Sequence, residues 1–492
     1  MMKRHGKPRS IFRRIAILTL CCAFLPLSAA SAEESVMRLE AEEGTLLGNV
    51  KAAYSGEGGW VEGFREAGDA VEMNVAVKAD GMYDIAVILA SADGGHKENP
   101  LLVDGERVAS AAVEGKEFQR TVLSYIYLTA GEHTLGLGTS WGWVKVDAFE
   151  ISPSAPLPED IYRVSPVLAV PDPSPEAQRM FDWMCEIYGK KIITGQNCDG
   201  GMYGMENQAV WRATNGLYPA LLGLDMMDYS PSRAERGTEG KSVDQAIQYW
   251  ENGGIVTFCW HWNAPSPYLT EERWYSGFYT QYTSFDLKKV MEGEDQQGYA
   301  LLMKDLEAIA VQLRRLRDAG VPVLWRPLHE ASGGWFWWGA SGPEAYKWLW
   351  NLMFDTFTNQ YRLNNLIWVW NGQSADWYPG DATVDIIGED IYPGERVYNS
   401  QSAQFMECLK YTDARKMIIL SENGCVPDPD FLFRDGTVWG SYCTWGGEFV
   451  LKNKKFNKPS EQYTEVWLLK KMYTDERSVT RADIPNLRGG AE

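Results

Sequence analysis

Long apolar segments are scarce in this 492-residue sequence. Residues 15–27 form one apolar run, but it is shorter than the roughly 18 residues that a membrane-spanning helix requires, and no later segment approaches that length. We therefore expect no transmembrane helix and no membrane partner.

Positive charge is also in short supply. The chain has 47 lysines and arginines against 66 acidic residues, a formal net charge of −19. Six of the cations and no acidic residue lie in the first 32 positions, so the remainder carries about −25. Such a chain would repel a phosphate backbone, which argues against a nucleic-acid partner, whereas a neutral polymer meets no such repulsion.

Clustered cysteines are absent after residue 32. The six cysteines that follow residue 32 are scattered and match no C-x-x-C metal pattern. Their pairing stays open, because an oxidising environment favours disulfides while an anaerobic source would leave buried thiols. They are Cys185, Cys198, Cys259, Cys408, Cys425 and Cys443.

The first 32 residues have the pattern of a secretory signal. A cationic start precedes the apolar run, and Ala30-Ser31-Ala32 offers a small-residue cleavage site. A large residue, Leu20, precedes Cys21, which argues against lipid modification of that cysteine. We expect residues 1–32 to be removed and the rest to be secreted into the extracellular space.

Residues 33–152 are predicted to form an all-β module. Apolar and polar residues alternate from Val71 to Val77 and from Tyr83 to Leu89, with a turn signal at Asp80-Gly81 between the two runs. Similar signals at Asp104-Gly105 and Ala130-Gly131 give the spacing of an antiparallel sandwich. No segment here has the apolar spacing of a useful amphipathic helix.

Three carboxylates of this module can meet if its first and last strands are neighbours. Glu40 and Glu42 alternate onto one strand face, and Asp147 lies on the last strand. Together they could bind Ca²⁺, and solvated edge charges are the alternative. Trp141, beside a glycine in a predicted loop, is either a sugar platform or a packed residue.

The module resembles carbohydrate-binding module family 35. The resemblance lies in Arg-Leu-Glu-Ala-Glu at 38–42, Asn-Pro-Leu-Leu-Val-Asp-Gly at 99–105 and Trp-Gly-Trp-Val-Lys-Val-Asp at 141–147. It implies a β-jelly roll, a structural calcium held by Glu40, Glu42 and Asp147, and a loop-end glycan site that includes Trp141 and Asn99. It does not specify the glycan.

Seven prolines between residues 151 and 178 predict a semi-rigid linker over 153–176. From 177 to 492, short apolar runs alternate with amphipathic segments such as Ala300–Ala319, which Gly320 ends. Eight strands with crossovers predict a (β/α)8 barrel. A doubly wound open sheet is the alternative, but no Gly-rich phosphate turn follows any run. The runs are Lys191–Gly195, Tyr218–Gly223, Ile255–Trp260, Val323–Leu328, Leu366–Trp370, Val384–Gly388, Met417–Leu420 and Val438–Cys443.

Three of the predicted strand ends carry reactive groups: His261 after the third run, Glu330 after the fourth and Glu422 after the seventh. Strands four and seven of a barrel face each other across its mouth, where chemistry takes place. Two carboxyl groups about 5–5.5 Å apart there can cleave a glycosidic bond with retention. Most acidic residues are solvated surface charges, yet both of these follow apolar runs, where an unpaired carboxylate is costly.

The second domain resembles glycoside hydrolase family 26, whose members are mostly β-1,4-mannanases. The motifs are Ile-Thr-Gly-Gln at 193–196, Trp-Arg-Pro-Leu at 325–328, His-Glu-Ala-Ser-Gly-Gly-Trp-Phe-Trp-Trp-Gly at 329–339, Gly-Glu-Asp-Ile-Tyr at 388–392, Ser-Glu-Asn-Gly at 421–424 and Thr-Trp-Gly-Gly-Glu-Phe at 444–449. The resemblance implies a (β/α)8 barrel and retention of configuration without a cofactor. It makes Glu330 the acid/base and Glu422 the nucleophile.

The resemblance extends to the residues around the two carboxylates. It implies that His261 lines the subsite of the reacting mannose and that His329 hydrogen-bonds the sugar or the region of the nucleophile. Tyr392 is expected to hold the nucleophile's carboxylate, and Arg326 to favour its ionised form by charge and hydrogen bonding. Asp390 is expected to line the substrate site.

Aromatic residues complete the expected cleft. Trp335 and Trp445 are expected to be stacking platforms, whereas Trp337 and Trp338 are expected to pack in the core. The aromatic segment 263–299 is predicted to form a wall over the active face. Cys425 is a departure from the family pattern, and the sequence offers no histidine partner that would make it a nucleophile.

We therefore predict a secreted, monomeric endo-β-1,4-mannanase that hydrolyses mannan, glucomannan or galactomannan by double displacement. One alternative keeps the barrel and changes the glycan to β-1,3-xylan or mixed-linkage β-glucan. A second is an exo-acting mannobiohydrolase, since segment 263–299 could block the cleft. A third, from another class, is a non-catalytic glycan-binding protein.

Overall fold

The computed structural model describes residues 36–489, apart from residues 57, 141–142 and 454–456. The predicted secretory signal lies outside the described residues. No helix within the described ranges combines the length and the apolar character that crossing a membrane demands.

The N-terminal module is the predicted all-β sandwich. One antiparallel sheet has the order β3-β4-β11-β6-β9, with β1 paired to β11, and the other has the order β2-β5-β10-β7-β8. Side chains from both sheets enclose one apolar core. The strands are β1 Met37–Glu40, β2 Thr45–Leu47, β3 Lys51–Ser55, β4 Gly58–Glu62, β5 Ala70–Val77, β6 Gly81–Ser91, β7 Lys97–Val103, β8 Glu106–Val113, β9 Gln119–Leu128, β10 Gly131–Gly138 and β11 Val144–Pro153.

The predicted turn signals connect these strands. Asp104 and Gly105 have φ values of 52° and 84° between β7 and β8. A two-residue hairpin turn needs positive φ at both positions, which aspartate and glycine tolerate.

The C-terminal domain is a closed barrel of eight parallel strands, which confirms the predicted fold class. Its strands are β13 Gly195–Asn197, β14 Leu221–Asp225, β15 Ile255–Cys259, β16 Val323–Arg326, β17 Leu366–Trp370, β18 Ile386–Ile391, β19 Met417–Asn423 and β20 Tyr442–Thr444. Four short strands lie outside the barrel: β12 Ile192–Ile193, β21 Leu451–Asn453, β22 Lys458–Pro459 and β23 Ser478–Val479.

The first barrel strand differs from the prediction. Ile192 and Ile193 were predicted to begin it, but they pair with Ser478 and Val479 outside the barrel, and the barrel strand starts at Gly195. Both segments are buried, so an apolar run alone does not reveal which of two partners it will pair with.

Helices surround the barrel between the strands. The long α6 covers most of the predicted helix: Asp295 caps its start by accepting from the Gly298 amide at 2.7 Å, and Gly320, with φ of 68°, follows its end. The helices are α1 Pro175–Ile187, α2 Met205–Ala213, α3 Pro231–Ala234, α4 Ser242–Glu251, α5 Leu287–Met291, α6 Gln296–Asp318, α7 Trp337–Ala340, α8 Pro343–Phe354, α9 Ser402–Cys408, α10 Pro429–Asp435 and α11 Val466–Thr474.

The proline-rich segment between β11 and α1 packs against the barrel. Leu168 and Val170 are buried, and the amide of Ala169 donates to the Asp385 carboxylate at 2.6 Å. Buried apolar side chains and a hydrogen bond therefore fix this linker against the barrel.

Hydrogen bonds join the module directly to the barrel. The Arg107 guanidinium donates to the Pro393 carbonyl at 3.0 Å, and the Asn399 amide donates to the Arg107 carbonyl at 2.9 Å. The Ser402 hydroxyl, at the start of α9, donates to the Tyr125 carbonyl of β9 at 2.6 Å. The module is thus held beside the β18 end of the barrel mouth.

Candidate active site

The predicted reactive residues gather at one mouth of the barrel. His261 follows β15, Glu330 follows β16, Tyr392 follows β18, and Glu422 lies near the end of β19. Parallel strands all end on the same side of a barrel, which brings these distant residues together.

Glu422 is buried and both of its carboxylate oxygens are engaged. Oε1 accepts a hydrogen bond from the Arg326 guanidinium, and Oε2 accepts one from the Tyr392 hydroxyl at 2.7 Å. The carboxylate is therefore held in one orientation beside a buried cation.

Arg326 is itself oriented by a buried network. Its Nη1 atom donates to Asp390 at 2.9 Å and to the Asn371 side-chain oxygen at 2.7 Å, and Ser421 donates to the other oxygen of Asp390 at 2.7 Å. Asp390 therefore lies behind Glu330 and Glu422 and accepts a hydrogen bond from Arg326. Sequence reasoning did not assign roles to Asn371 and Ser421, although each follows a predicted strand, which is the available signal.

Glu330 has different surroundings from Glu422. It lies in the left-handed region with φ of 52°, and the Trp335 indole donates to its Oε2 at 3.0 Å. Burial, followed by the negative charges of Asp390 and Glu422, raises its pKa well above the usual range of a glutamate. A carboxyl group of this kind keeps its proton near neutral pH.

Glu330 and Glu422 lie close together, as their positions on strands four and seven predicted. One carboxylate oxygen each from Glu330, Asp390 and Glu422 lies within 4.8 Å of the other two. This separation is near the roughly 5–5.5 Å of retaining glycosidases and below the roughly 6.5–9.5 Å that inverting enzymes need for a water molecule.

Two histidines lie beside the carboxyl pair. Asp225, at the end of β14, accepts from Nδ1 of His261 at 2.6 Å, and His329 contacts the same imidazole edge to face at 4.6 Å between ring centres. Burial alone would lower the pKa of His261, but the Asp225 carboxylate outweighs it and raises the pKa. Burial, with His261 and Arg326 nearby, holds the pKa of His329 well below its usual range, so this ring stays neutral. Asp225 is a site residue that sequence reasoning missed.

A cavity of about 370 Å³ opens next to His261. Phe278, Tyr279 and Trp445 are among its walls, so segment 263–299 does border the active face as predicted. Trp335 stands at the mouth with 43% of its surface exposed. The exposed indole faces and the polar floor are of the type that stacks on and hydrogen-bonds a sugar ring.

Trp337, Trp338 and Cys425 have structural roles. Trp337 and Trp338 are buried, and their indoles donate to the carbonyls of Trp262 and His329 at 2.7 and 2.9 Å. The Cys425 thiol contacts two backbone carbonyls, and burial raises its pKa to about 11, so little of it is the reactive thiolate.

The three carboxylates that were predicted to bind calcium, Glu40, Glu42 and Asp147, differ in their hydrogen-bond partners. Arg38 bonds Glu40 at 2.8 Å and Asp147 at 2.6 Å, whereas Oε2 of Glu42 is buried and has no hydrogen-bond partner among the described residues. A buried carboxylate oxygen without a donor fits a cation ligand. In this structure the guanidinium of Arg38 already supplies a cation to the other two carboxylates.

Of the two residues of the module that were predicted to bind a glycan, the structure describes one. Trp141 lies outside the described residues. The Asn99 side chain is fully buried, and its amide donates to the Gly138 carbonyl at 2.8 Å. Trp143 and Phe118, which directly precede β11 and β9, are exposed by 56% and 42%, and the sequence did not single out either of them.

The fold and the site together define a class of protein. A barrel with paired carboxyl groups on strands four and seven, one proton-bearing and one clamped by a cation, is a two-carboxylate glycoside hydrolase. The chain belongs to glycosyl hydrolase family 26, whose model matches residues 169–473. Residues 37–154 match carbohydrate binding module (family 35), so both resemblances are confirmed.

Three known proteins illustrate the similarity. A mannan endo-1,4-beta-mannosidase of Thermothelomyces thermophilus is 40% identical over 93% of this chain and 92% of its own. The crystal structure of a Podospora anserina GH26-CBM35 beta-(1,4)-mannanase is 36% identical, with a TM-score of 0.64, over 93% of this chain and all of that one. A beta-mannanase from a symbiotic protist of the termite Reticulitermes speratus, complexed with a gluco-manno-oligosaccharide, is 34% identical, with a TM-score of 0.58, over 65% of this chain and 98% of its own.

Proposed function

We propose that the protein is an endo-β-1,4-mannanase that hydrolyses mannan-type polysaccharides with retention of configuration. The observation that carries the mechanism is the close approach of Glu330 and Glu422 in two unlike environments. The names of the relatives, which are mannan endo-1,4-beta-mannosidases, support the substrate.

The first step forms a glycosyl-enzyme. Glu330, which keeps its proton, protonates the oxygen of the leaving sugar while a Glu422 oxygen attacks the anomeric carbon. Tyr392 and Arg326 orient the nucleophile before attack and stabilise the carboxylate when it leaves again.

The second step releases the product. Glu330, now ionised, takes a proton from water as that water attacks the anomeric carbon, and the bond to Glu422 breaks. The His261–Asp225 pair offers a polar group beside the reacting sugar, and Trp445 offers a stacking surface.

An activity assay tests this function. Reducing ends released from locust bean gum, β-1,3-xylan and barley β-glucan are measured for the wild type and for Glu422→Ala. We expect release from the galactomannan and a loss of at least about 10⁴-fold in the variant. Activity on xylan or β-glucan alone would replace the mannanase assignment, and an undiminished variant would remove Glu422 from the mechanism.

We also propose secretion and action as a monomer. The pattern of residues 1–32 supports secretion, and both catalytic carboxylates come from one barrel, so a second copy is not needed to complete the site. N-terminal sequencing of the exported protein should begin at Glu33, and light scattering should give the mass of one chain.

For the module, the proposal is a structural Ca²⁺ held by Glu40, Glu42 and Asp147. Its support is the buried oxygen of Glu42, which has no hydrogen-bond partner among the described residues, together with the membership of the module in family 35. In the full chain, millimolar calcium should raise the melting temperature of the wild type but not that of Glu42→Gln. Equal melting temperatures with calcium and with chelator would contradict the site.

A glycan site at the loop end of the module is a further proposal. The exposed Trp143 and Phe118 support it, and Trp141 belongs to it by family resemblance, whereas the buried Asn99 does not face a ligand. Affinity electrophoresis in galactomannan, with Glu422→Ala to prevent hydrolysis, should show weaker retardation when Trp143→Ala is added.

A further inference from the structure

The catalytic strands divide the barrel mouth into two halves. Around the closed barrel, β16 and β19 carry Glu330 and Glu422. Strands β20 and β13 to β15 lie on one side of that pair and border the cavity beside His261. Strands β17 and β18 lie on the other side.

A second and larger cavity, of about 770 Å³, lies in the β17–β18 half. Asp390 and Tyr392 border it, so it reaches the residues that orient the nucleophile. Its opposite wall is formed by the module, through Glu98, Arg107, Ser110, Ala112 and Thr121 of β7, β8 and β9. The groove between the two domains therefore meets the catalytic site at Tyr392.

The chemistry of this groove suits sugar hydroxyls. Gln373 and Gln404 both reach the buried Glu389 carboxylate on the barrel side, at 3.5 and 2.8 Å, and Lys410 lies farther out. The module contributes carboxylate, guanidinium and hydroxyl groups. The volume is within the roughly 300–1,000 Å³ of ordinary ligand sites.

The wall that the module forms is held in place. Besides the hydrogen bonds of Arg107, Asn399 and Ser402, the guanidinium of Arg434 lies 3.8 Å from the ring centre of Tyr127 on β9. A wall held by direct bonds can orient a ligand, whereas a module on a mobile tether could not.

We propose that the groove between module and barrel is a substrate subsite, in which β8 and β9 of the module bind mannosyl units of the polymer on the β17–β18 side of the cleavage point. An internal bond can be cut only if sugars occupy both sides of the carboxyl pair, and this groove is the space on the second side. The proposal rests on the proposed mannanase function and assigns the module a part in the cleft, separate from its loop-end glycan site.

A blocking substitution tests the subsite. Ala112 is exposed on β8 and lines the groove, and Ala112→Trp would fill it without removing an interface hydrogen bond. Ala76→Trp is the matched control, because Ala76 is exposed on β5 of the same sheet and does not line the groove. Glu98→Ala is a second variant in which a polar group is removed.

We expect Ala112→Trp to raise KM for mannohexaose about fivefold or more and to change its product pattern, while an aryl β-mannobioside is hydrolysed at the wild-type rate. Glu98→Ala should raise the same KM less, and Ala76→Trp should change neither substrate. If Ala112→Trp does not fold, Glu98→Ala alone decides.

The subsite would be overturned if the folded variants Ala112→Trp and Glu98→Ala hydrolysed mannohexaose with the wild-type KM and the wild-type products. The groove would then be a solvent-filled gap between the two domains. A wild-type enzyme without activity on mannohexaose would instead overturn the proposed function.

Discussion

Two glutamates of the same chemical type acquire different roles here from their immediate neighbours. Glu422 accepts from Arg326 and Tyr392, whereas Glu330 accepts from the Trp335 indole, its one side-chain donor among the described residues, and has two carboxylates nearby. Burial and the neighbouring negative charges raise the pKa of Glu330, which suits it to be the proposed acid, while Arg326 and Tyr392 orient Glu422 as the proposed nucleophile.

At this scale we predict that Trp335→Phe moves the alkaline limb of kcat/KM to higher pH. The indole hydrogen bond favours the ionised Glu330 and so lowers its pKa, and losing it should raise that pKa further. The general acid would then stay protonated to higher pH.

The measurement is a pH profile with an aryl mannoside. Trp211→Phe, on the partly exposed α2 surface, is the control and should keep the wild-type profile. A limb that stays in place in Trp335→Phe would mean that this hydrogen bond does not set the acid's pKa.

Among the structural elements, the turn after β16 is the most constrained part of the site. Leu328 and Glu330 both have positive φ, at 55° and 52°, which costs about 1–2 kcal/mol for each non-glycine residue. Short helix α7 closes over this turn, and a Cβ on Gly339 would lie 2.1 Å from the Ala331 carbonyl oxygen. The acid is thus positioned by close backbone packing.

Gly339→Ala should therefore lower both stability and turnover. The added methyl group must push α7 away from the Glu330 turn, at a cost of about 1–3 kcal/mol, and displace the acid. Urea denaturation and kcat would be measured together. The control is Gly81→Ala, where an added Cβ meets no atom within 4 Å, and it should change neither stability nor kcat. If Gly339→Ala also changed neither, the turn after β16 would be able to relax around the methyl group.

Helix α6 contains a buried acidic residue that should make stability depend on pH. Asp305 accepts from the Trp262 indole at 2.8 Å, and burial raises its pKa from 3.8 to about 7. Between those pH values the folded state holds a proton that the unfolded state has released, so this residue makes stability fall as pH rises through the window.

Asp305→Asn should remove this loss of stability at higher pH, because an asparagine side chain does not titrate. Its side-chain oxygen can still accept the hydrogen bond from the Trp262 indole. We expect the variant to gain about 1–4 kcal/mol relative to wild type at pH 8, and less at pH 5. Melting curves at the two pH values measure it. Asp318→Asn, exposed at the end of the same helix, should show no such pH dependence, and a pH-independent Asp305→Asn would contradict the assignment.

At the scale of the whole molecule, the six cysteines after residue 32 all lie in the barrel domain. All six cysteines after residue 32 are free thiols in the structure, and all but the partly exposed Cys185 are buried. Packing and hydrogen bonds therefore hold the fold together without cross-links.

Thiol titration checks this arrangement. The native protein should react with at most one equivalent of Ellman's reagent, because burial shields the thiols and raises their pKa values, and the unfolded protein should react with six. A reducing agent should leave the melting temperature unchanged. Fewer than six reactive thiols after unfolding would reveal a disulfide.

The sequence by itself predicted the fold class and, with the resemblance to family 26, the two carboxylates that meet at the barrel mouth. Period-two alternation, apolar runs and turn residues are local properties, and Glu330 and Glu422 each lie two residues after the end of such a run. What local patterns could not determine was pairing: Ile192 and Ile193 have the composition of a barrel strand and pair outside the barrel.

Only the tertiary structure decided which distant groups meet. Residues far apart in the chain come into contact at the site. Asp225 bonds His261, and both Asn371 and Asp390 bond Arg326. The module forms a wall of the cavity that Tyr392 borders. Proton affinity depends on burial and on charges in space, so the distinction between acid and nucleophile became visible when the strands closed into a barrel.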